Sequence, residues 1–149
     1  MRGTISASVL VRAAAAEEVV DLRHQVLRVG RPRQTAVFPG DALARHWVGL
    51  EGAQVVAVLS VFAQPFPEGP GPALQLRGMA VSPELQGTGR GGLLLEQVQA
   101  QLGCPIWCNA RERALRFYER HGWRVVSPPF DIPGLGPHRR MVYQDTVTG

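Results

Sequence analysis

Lysine is absent from this 149-residue chain, whose 16 basic residues are all arginine. That absence excludes a Schiff-base lysine of the kind pyridoxal enzymes use, and the lysine of a nucleotidase phosphate loop. Cysteine is nearly absent too: only Cys104 and Cys108 occur, and the four histidines (His24, His46, His121, His138) are scattered. A four-ligand zinc centre needs more ligands at closer spacing, so no metal is expected. The two thiols are expected as buried core groups, four residues apart on one face of a strand. No apolar run approaches the roughly 18 residues of a membrane span. Residues 1–12 lack the long apolar core and small-residue cleavage site of a secretory signal. The expectations are a cytoplasmic location, no membrane partner and one domain over residues 1–149.

Charge needs closer reading, because a net charge of +4 with 12 acidic residues invites a nucleic-acid partner. The arginine runs are short (Arg111, Arg113 and Arg116; Arg139 and Arg140), with no basic arm and no interleaved aromatics. Such a pattern supports at most weak, salt-labile association with DNA. It fits better a solvated surface or one that attracts a polyanionic cofactor.

Periodicity supplies the elements. Residues 7–12 read as a strand and residues 13–28 as a helix with Val19, Leu22 and Val26 on one stripe. Two prolines and two glycines break residues 29–41 into loop or short helices. Residues 47–50 and 54–62 read as a hairpin turned at Glu51-Gly52, and residues 64–72 as a proline-glycine loop. A strand over 74–81 is stopped by Ser82-Pro83. The next helix carries Gly91, Leu94, Leu95, Val98 and Leu102 on its buried face and ends at Gly103. A strand over 104–109 follows, parallel to its predecessor because a helix connects them. A helix over 110–121, with Ala110, Ala114, Phe117, Tyr118 and His121 on one side, ends at Gly122. Two strands over 122–127 and 139–144 close the chain around a loop of residues 128–138.

Chemistry concentrates in Gln86-Gly87-Thr88-Gly89-Arg90-Gly91-Gly92, between a strand and a helix. Glycines there let successive backbone N–H groups approach an anion at the positive end of the helix dipole, which makes a diphosphate cradle. The structural alternative is a tight turn that lets the helix pack close to the sheet. Gly87, Gly89 and Gly92 also spell GxGxxG, with Glu112 twenty residues beyond, so a dinucleotide-binding module has to be weighed. The antiparallel region before the motif and the 57 residues after Gly92 argue against it.

These residues resemble the GNAT superfamily of N-acetyltransferases. Its coenzyme A motif is matched by Val81-Ser82-Pro83 and Gln86-Gly87-Thr88-Gly89-Arg90-Gly91. Its second helix is matched by Ala114-Leu115-Arg116-Phe117-Tyr118-Glu119-Arg120-His121-Gly122-Trp123. The match is strong over residues 74–126. The resemblance implies an α/β fold: a mixed, mostly antiparallel sheet flanked by helices, with a splayed pair of parallel strands. It implies acetyl-coenzyme A as cosubstrate, its pyrophosphate on the amides of Gly87 to Gly91 and its pantetheine arm along Met79, Ala80 and Val81. A strand-interior glycine, Gly78, is expected to mark the bulge that opens the gap.

The implied reaction is direct attack by a primary amine, on a small molecule or a peptide. The oxyanion falls to an N–H near Met79 or Ala80, and Tyr118 is the acid for the leaving thiolate. The residue pattern alone leaves Tyr118 open as a core aromatic. It leaves Asn109 open as a cofactor ligand or as the cap of a helix starting at Ala110. Relatives commonly carry asparagine where this chain has Arg111, and a glutamate on the strand over 74–81 where this chain has none. The base is therefore open among Asp41, His46, His138 and a water chain. The acceptor is expected between residues 28–41 and 130–138. A catalytically inactive coenzyme A sensor and a homodimer stay open.

Overall fold

The computed structural model describes residues 9–144. Its strands are β1 (Leu10–Ala14), β2 (Arg45–Glu51), β3 (Gln54–Phe62), β4 (Gln75–Val81), β5 (Ile106–Arg111), β6 (Trp123–Val125), β7 (Phe130–Ile132) and β8 (Gly136–Tyr143). They form one sheet in the order β1-β2-β3-β4-β5-β8-β6, with β7 also paired to β8. Neighbours are antiparallel except β4 and β5, which run parallel as their helical connection requires.

Alternation along the strands divides the core between two faces. Val48, Leu50, Val58 and Ala80 meet Val19 and Leu22 of α1 (Glu17–Leu27) on one side. Trp47, Ala57, Leu59 and Leu76 meet Leu94, Leu95 and Val98 of α2 (Arg90–Leu102) on the other. The expected mixed, mostly antiparallel sheet with helices on both faces is what the chain forms.

Two local features open the sheet at its centre. Between the pairs Val58↔Ala80 and Ser60↔Arg77, Leu59 faces two residues, Gly78 and Met79, so β4 bulges. Gly78 has φ of +70°, and a Cβ there would lie 2.8 Å from Arg23 Nε, so both backbone and space demand glycine. Beyond this point β4 pairs only with β3; its sole registered pair with β5 is Gln75↔Trp107. The strands then splay, as expected from Gly78.

Several boundaries differ from the sequence reading. The first strand runs through Ala14, so α1 starts at Glu17 rather than at 13; residues 7 and 8 of the expected strand lie outside the described residues. The largest correction concerns residues 110–121. Strand β5 continues through Ala110 and Arg111, which pair with Arg139 and His138 of β8. A 3-10 turn follows, and α3 comprises only Leu115–Glu119. Cross-strand pairing to a distant segment has overridden a helix-like local pattern. Asn109 is therefore interior to a strand and caps no helix. Cys108 is buried in the core, whereas Cys104 precedes β5 and is half-buried, so the two do not share a strand face. The expected loop over 128–138 contains β7, which makes a hairpin with β8.

Candidate active site

The splay holds a cavity of about 820 Å³. Met79, Ala80, Val81, Gln86, Gly87, Asn109 and Tyr118 all line it, as do the Arg28 and Phe38 region on one side and Ile132, Leu135 and His138 on the other. The two expected acceptor walls meet there, because Arg31 Nη2 donates to the carbonyl of Gly134 at 2.6 Å across 103 residues of sequence.

Thr88, Gly89, Arg90 and Gly91 sit beside this cavity rather than in its lining. The glycines of the motif have two separate jobs. Gly87 and Gly89 have φ of +80° and +89°, and a Cβ on either would project into open space. They shape a bare cradle before α2, whose first backbone bond runs from Leu93 N–H to the Gly89 carbonyl. The amides of that first turn are thus the free donors a helix start offers to an anion. Gly91 and Gly92 serve packing instead. A Cβ at Gly91 would lie 2.6 Å from Val81 Cγ2, and one at Gly92 2.6 Å from His121 Cε1. The side chains of the motif turn inward: Gln86 Nε2 donates to the Val81 carbonyl at 3.1 Å, Thr88 Oγ1 to the Leu85 carbonyl, and Arg90 Nε to Glu51.

Tyr118 reaches the cavity from α3 while its ring is only 6% exposed. Phe117 meets it edge-on at 5.2 Å and Trp123 at 5.1 Å between centroids. Its hydroxyl has no hydrogen-bond partner among the described residues. Burial drives the phenol well above its ordinary pKa, with a smaller contribution from nearby Cys108, whose own thiol burial also pushes up. Both groups are protonated at neutral pH. Asn109 lines the same cavity, and its Oδ1 is a buried acceptor with no donor among the described residues.

The three candidate bases separate. Asp41 accepts a bidentate pair from Arg23 at 2.7 and 3.0 Å and the Phe38 N–H at 2.9 Å. His46 Nε2 must donate to the Asp41 carbonyl at 2.9 Å, which leaves Nδ1 to accept from Ser60 Oγ at 2.6 Å. Both side chains are satisfied within the chain, and neither Asp41 nor His46 lines the cavity. Only His138 does. Its Nδ1 donates to the Gly136 carbonyl at 2.8 Å, which fixes Nε2 as the unprotonated nitrogen of the neutral ring.

A strand edge without a partner, an anion cradle beside it and an orphaned acceptor between them suit an elongated phosphate-bearing ligand with amides along its length. Acetyl-coenzyme A has that chemistry, so the residues fit it: the Gly87–Gly92 amides for phosphate, the free edge of Met79 to Val81 for the amide arm, and Asn109 Oδ1 for an N–H. Among the described residues no cluster of three or more His, Cys, Asp or Glu could hold a metal.

Both the class of protein and its family follow from comparison. The chain belongs to the GNAT acetyltransferase family, whose domain model matches residues 42–125. It is 29% identical over 136 residues to the uncharacterized N-acetyltransferase YitI of Bacillus subtilis (strain 168), covering 86% of this chain and 91% of that one. The crystal structure of Escherichia coli ElaA superposes with a TM-score of 0.71 at 20% identity over 92% of this chain and all of ElaA. A GNAT family acetyltransferase from Elizabethkingia anophelis, solved with acetyl-CoA bound, gives 0.67 at 12% identity over 91% and 97%. At these identities the structural likenesses establish the fold.

Proposed function

We propose that the described fold works as one acetyltransferase domain that moves an acetyl group from acetyl-coenzyme A directly to a primary amine. The observation that carries this reading is the cavity in the β4–β5 splay, lined by Gly87 at the start of the glycine cradle, by the open edge of β4 and by Tyr118. Bound acetyl-coenzyme A would supply the thioester that a neutral amine attacks.

In this reading the residues divide the work. Met79, Ala80 and Val81 offer backbone groups to the amide arm, and an N–H of Met79 or Ala80 faces the developing oxyanion. Gln86, Gly87, Thr88, Gly89, Arg90 and Gly91 form the phosphate turn, the side chains bracing it and the backbone binding. Asn109 accepts from the arm. His138 Nε2, the one free imidazole nitrogen on the cavity wall, takes the amine proton directly or through water. Tyr118 donates its phenolic proton as the C–S bond breaks, and is reprotonated by solvent. Burial weakens the phenol as an acid, but the same dry gap strengthens a thiolate as a base, so the transfer stays matched.

Tyr118→Phe tests the assignment. It keeps the ring packing and removes only an unpartnered hydroxyl. Cofactor affinity and melting temperature are expected to hold while kcat falls by roughly 10- to 10³-fold. Unchanged kcat at saturating acetyl-coenzyme A would remove Tyr118 from the chemistry.

A further inference from the structure

The cavity wall is charged asymmetrically. Six arginines line it (Arg28, Arg77, Arg111, Arg113, Arg116 and Arg120) against one carboxylate, Glu112, which already sits 3.6 Å from Arg139. The arginines fall into two groups. Arg113, Arg116 and Arg120 follow β5 on the α3 segment and are exposed. Arg28, Arg77 and Arg111 are half-buried, and none of the three has a salt-bridge partner among the described residues.

This second group lies at the acceptor end. Arg111 Nη2 donates to the Leu27 carbonyl at 3.1 Å, which places it against the end of α1. Arg28 and Arg77 flank the ring of Phe38 at 5.2 and 4.7 Å from its centroid. Arg77 directly precedes the Gly78 bulge, four strand residues before Val81. At about 3.3 Å per residue that separates it by about 13 Å from the end of β4, beyond which the glycine cradle begins. An anion held in that cradle therefore lies well away from the Arg77 backbone. Asp41, the nearest buried acid, is already saturated by Arg23.

Half-buried guanidiniums with no salt-bridge partner are costly, and here they also repel one another. Burial first, then the charges of Arg111, Arg31, Arg77 and Arg23, depress the Arg28 pKa; burial and Arg23 do the same to Arg77, with the Asp41 charge only partly opposing them. A planar guanidinium fork is suited to carboxylate and phosphate oxygens, and an entering oxyanion would relieve both penalties.

We propose that the acceptor is a small amine that also carries an oxyanion, a carboxylate or a phosphate, held by Arg28, Arg77 and Arg111 at the mouth of the β4–β5 gap. The proposal rests on the acetyltransferase reading above for its orientation. Phe38, Ile132 and Leu135 supply the apolar remainder of the pocket, so the amine and the anion are joined by a short hydrocarbon spacer.

Matched amines test this, with acetyl-coenzyme A saturating: 4-aminobutyrate against its amide, and phosphoethanolamine against ethanolamine. At least one anionic member is expected to exceed its neutral partner by tenfold or more in kcat/KM, and the pair that does so identifies the anion. Arg77→Gln and Arg111→Gln should each shrink that ratio by about tenfold, with melting curves recorded beside them. Ratios near one in wild type, or a ratio untouched by both folded variants, would overturn the proposal. Calorimetric titration of the same pairs into wild-type protein separates the two readings. Preferential binding of the anionic amine without turnover sinks acetyl transfer and keeps the anion site; equal affinity, or none for either member, sinks the anion site.

Discussion

The sheet carries two groups of buried polar side chains, one on each side of β4, and they are finished differently. Beneath α1, Arg23, Asp41, Ser60 and His46 close a network: Arg23 also donates to the Ala36 carbonyl at 2.9 Å and to Ser60 Oγ at 2.9 Å. Only Arg23 Nε lacks a partner, in a guanidinium whose Cζ lies over the Phe38 ring at 3.9 Å from its centroid. Along the β4–β5 gap the opposite holds among the described residues: Asn109 Oδ1 and the Tyr118 hydroxyl have no hydrogen-bond partner, and Arg28, Arg77 and Arg111 have no salt-bridge partner. A buried polar group that is satisfied within the chain specifies the fold; one left unsatisfied beside a cavity is waiting for a ligand.

The sharpest way to break this contrast is to open the closed network. Asp41→Asn strands the Arg23 charge, which is wholly buried, and is expected to destabilise by about 3–5 kcal/mol, with a fall in melting temperature on the order of 10 °C. The sign with pH is fixed. Burial opposes ionisation of Asp41, but the Arg23 and Phe38 hydrogen bonds outweigh it and hold the carboxyl below its ordinary value. Its stabilisation is therefore complete above the unfolded pKa of about 4 and is lost as pH falls through the lower folded value. Denaturation from pH 7 down to 2 should show wild type and variant converging only at the acid end. A difference that persists there would mean the charge is not the cause.

Next come the glycines. Gly89→Asp places a carboxylate and a strained backbone in the open cradle, and acetyl-coenzyme A affinity should drop by about 100-fold by calorimetry. Unaltered affinity would locate the cofactor elsewhere. Gly91→Ala acts on the other job: overpacking against Val81 and Met79 should cost about 1–3 kcal/mol of stability measured in urea.

The smallest effect belongs to Asn109→Ala. In the free protein it removes an acceptor that nothing satisfies, so stability should hold or rise slightly, while acetyl-coenzyme A binding weakens by about tenfold. A loss of stability comparable to that of Asp41→Asn would erase the distinction between the two sides of β4.

Much of this was readable from the chain. Glycine spacing after Ser82-Pro83 located the cradle, and Gly78 located the bulge, because each needs a backbone that other residues resist. The closed network leaves only one signal in the sequence. Arg23 lies four residues after Val19, beside Leu22 on the apolar stripe of α1, and a charge at a stripe position implies a buried partner. Asp41 stands in a proline-glycine loop 18 residues away, where local pattern says nothing of that partner, so the sequence alone offers it and His46 as bases. The continuation of β5 to Arg111 depended on β8, which follows more than 20 residues later. The arginine trio was invisible for the same reason: its members come from α1, β4 and β5, and only the fold brings them together.

Since a single registered pair, Gln75↔Trp107, stitches β4 to β5, the sheet is mechanically two leaves, β1 to β4 and β5 to β8, bound by a short seam. A ligand lying along the seam would act as a splint between them. Amide hydrogen exchange should then slow on both leaves when acetyl-coenzyme A is added, including at residues it does not touch, because the leaves lose their freedom to part.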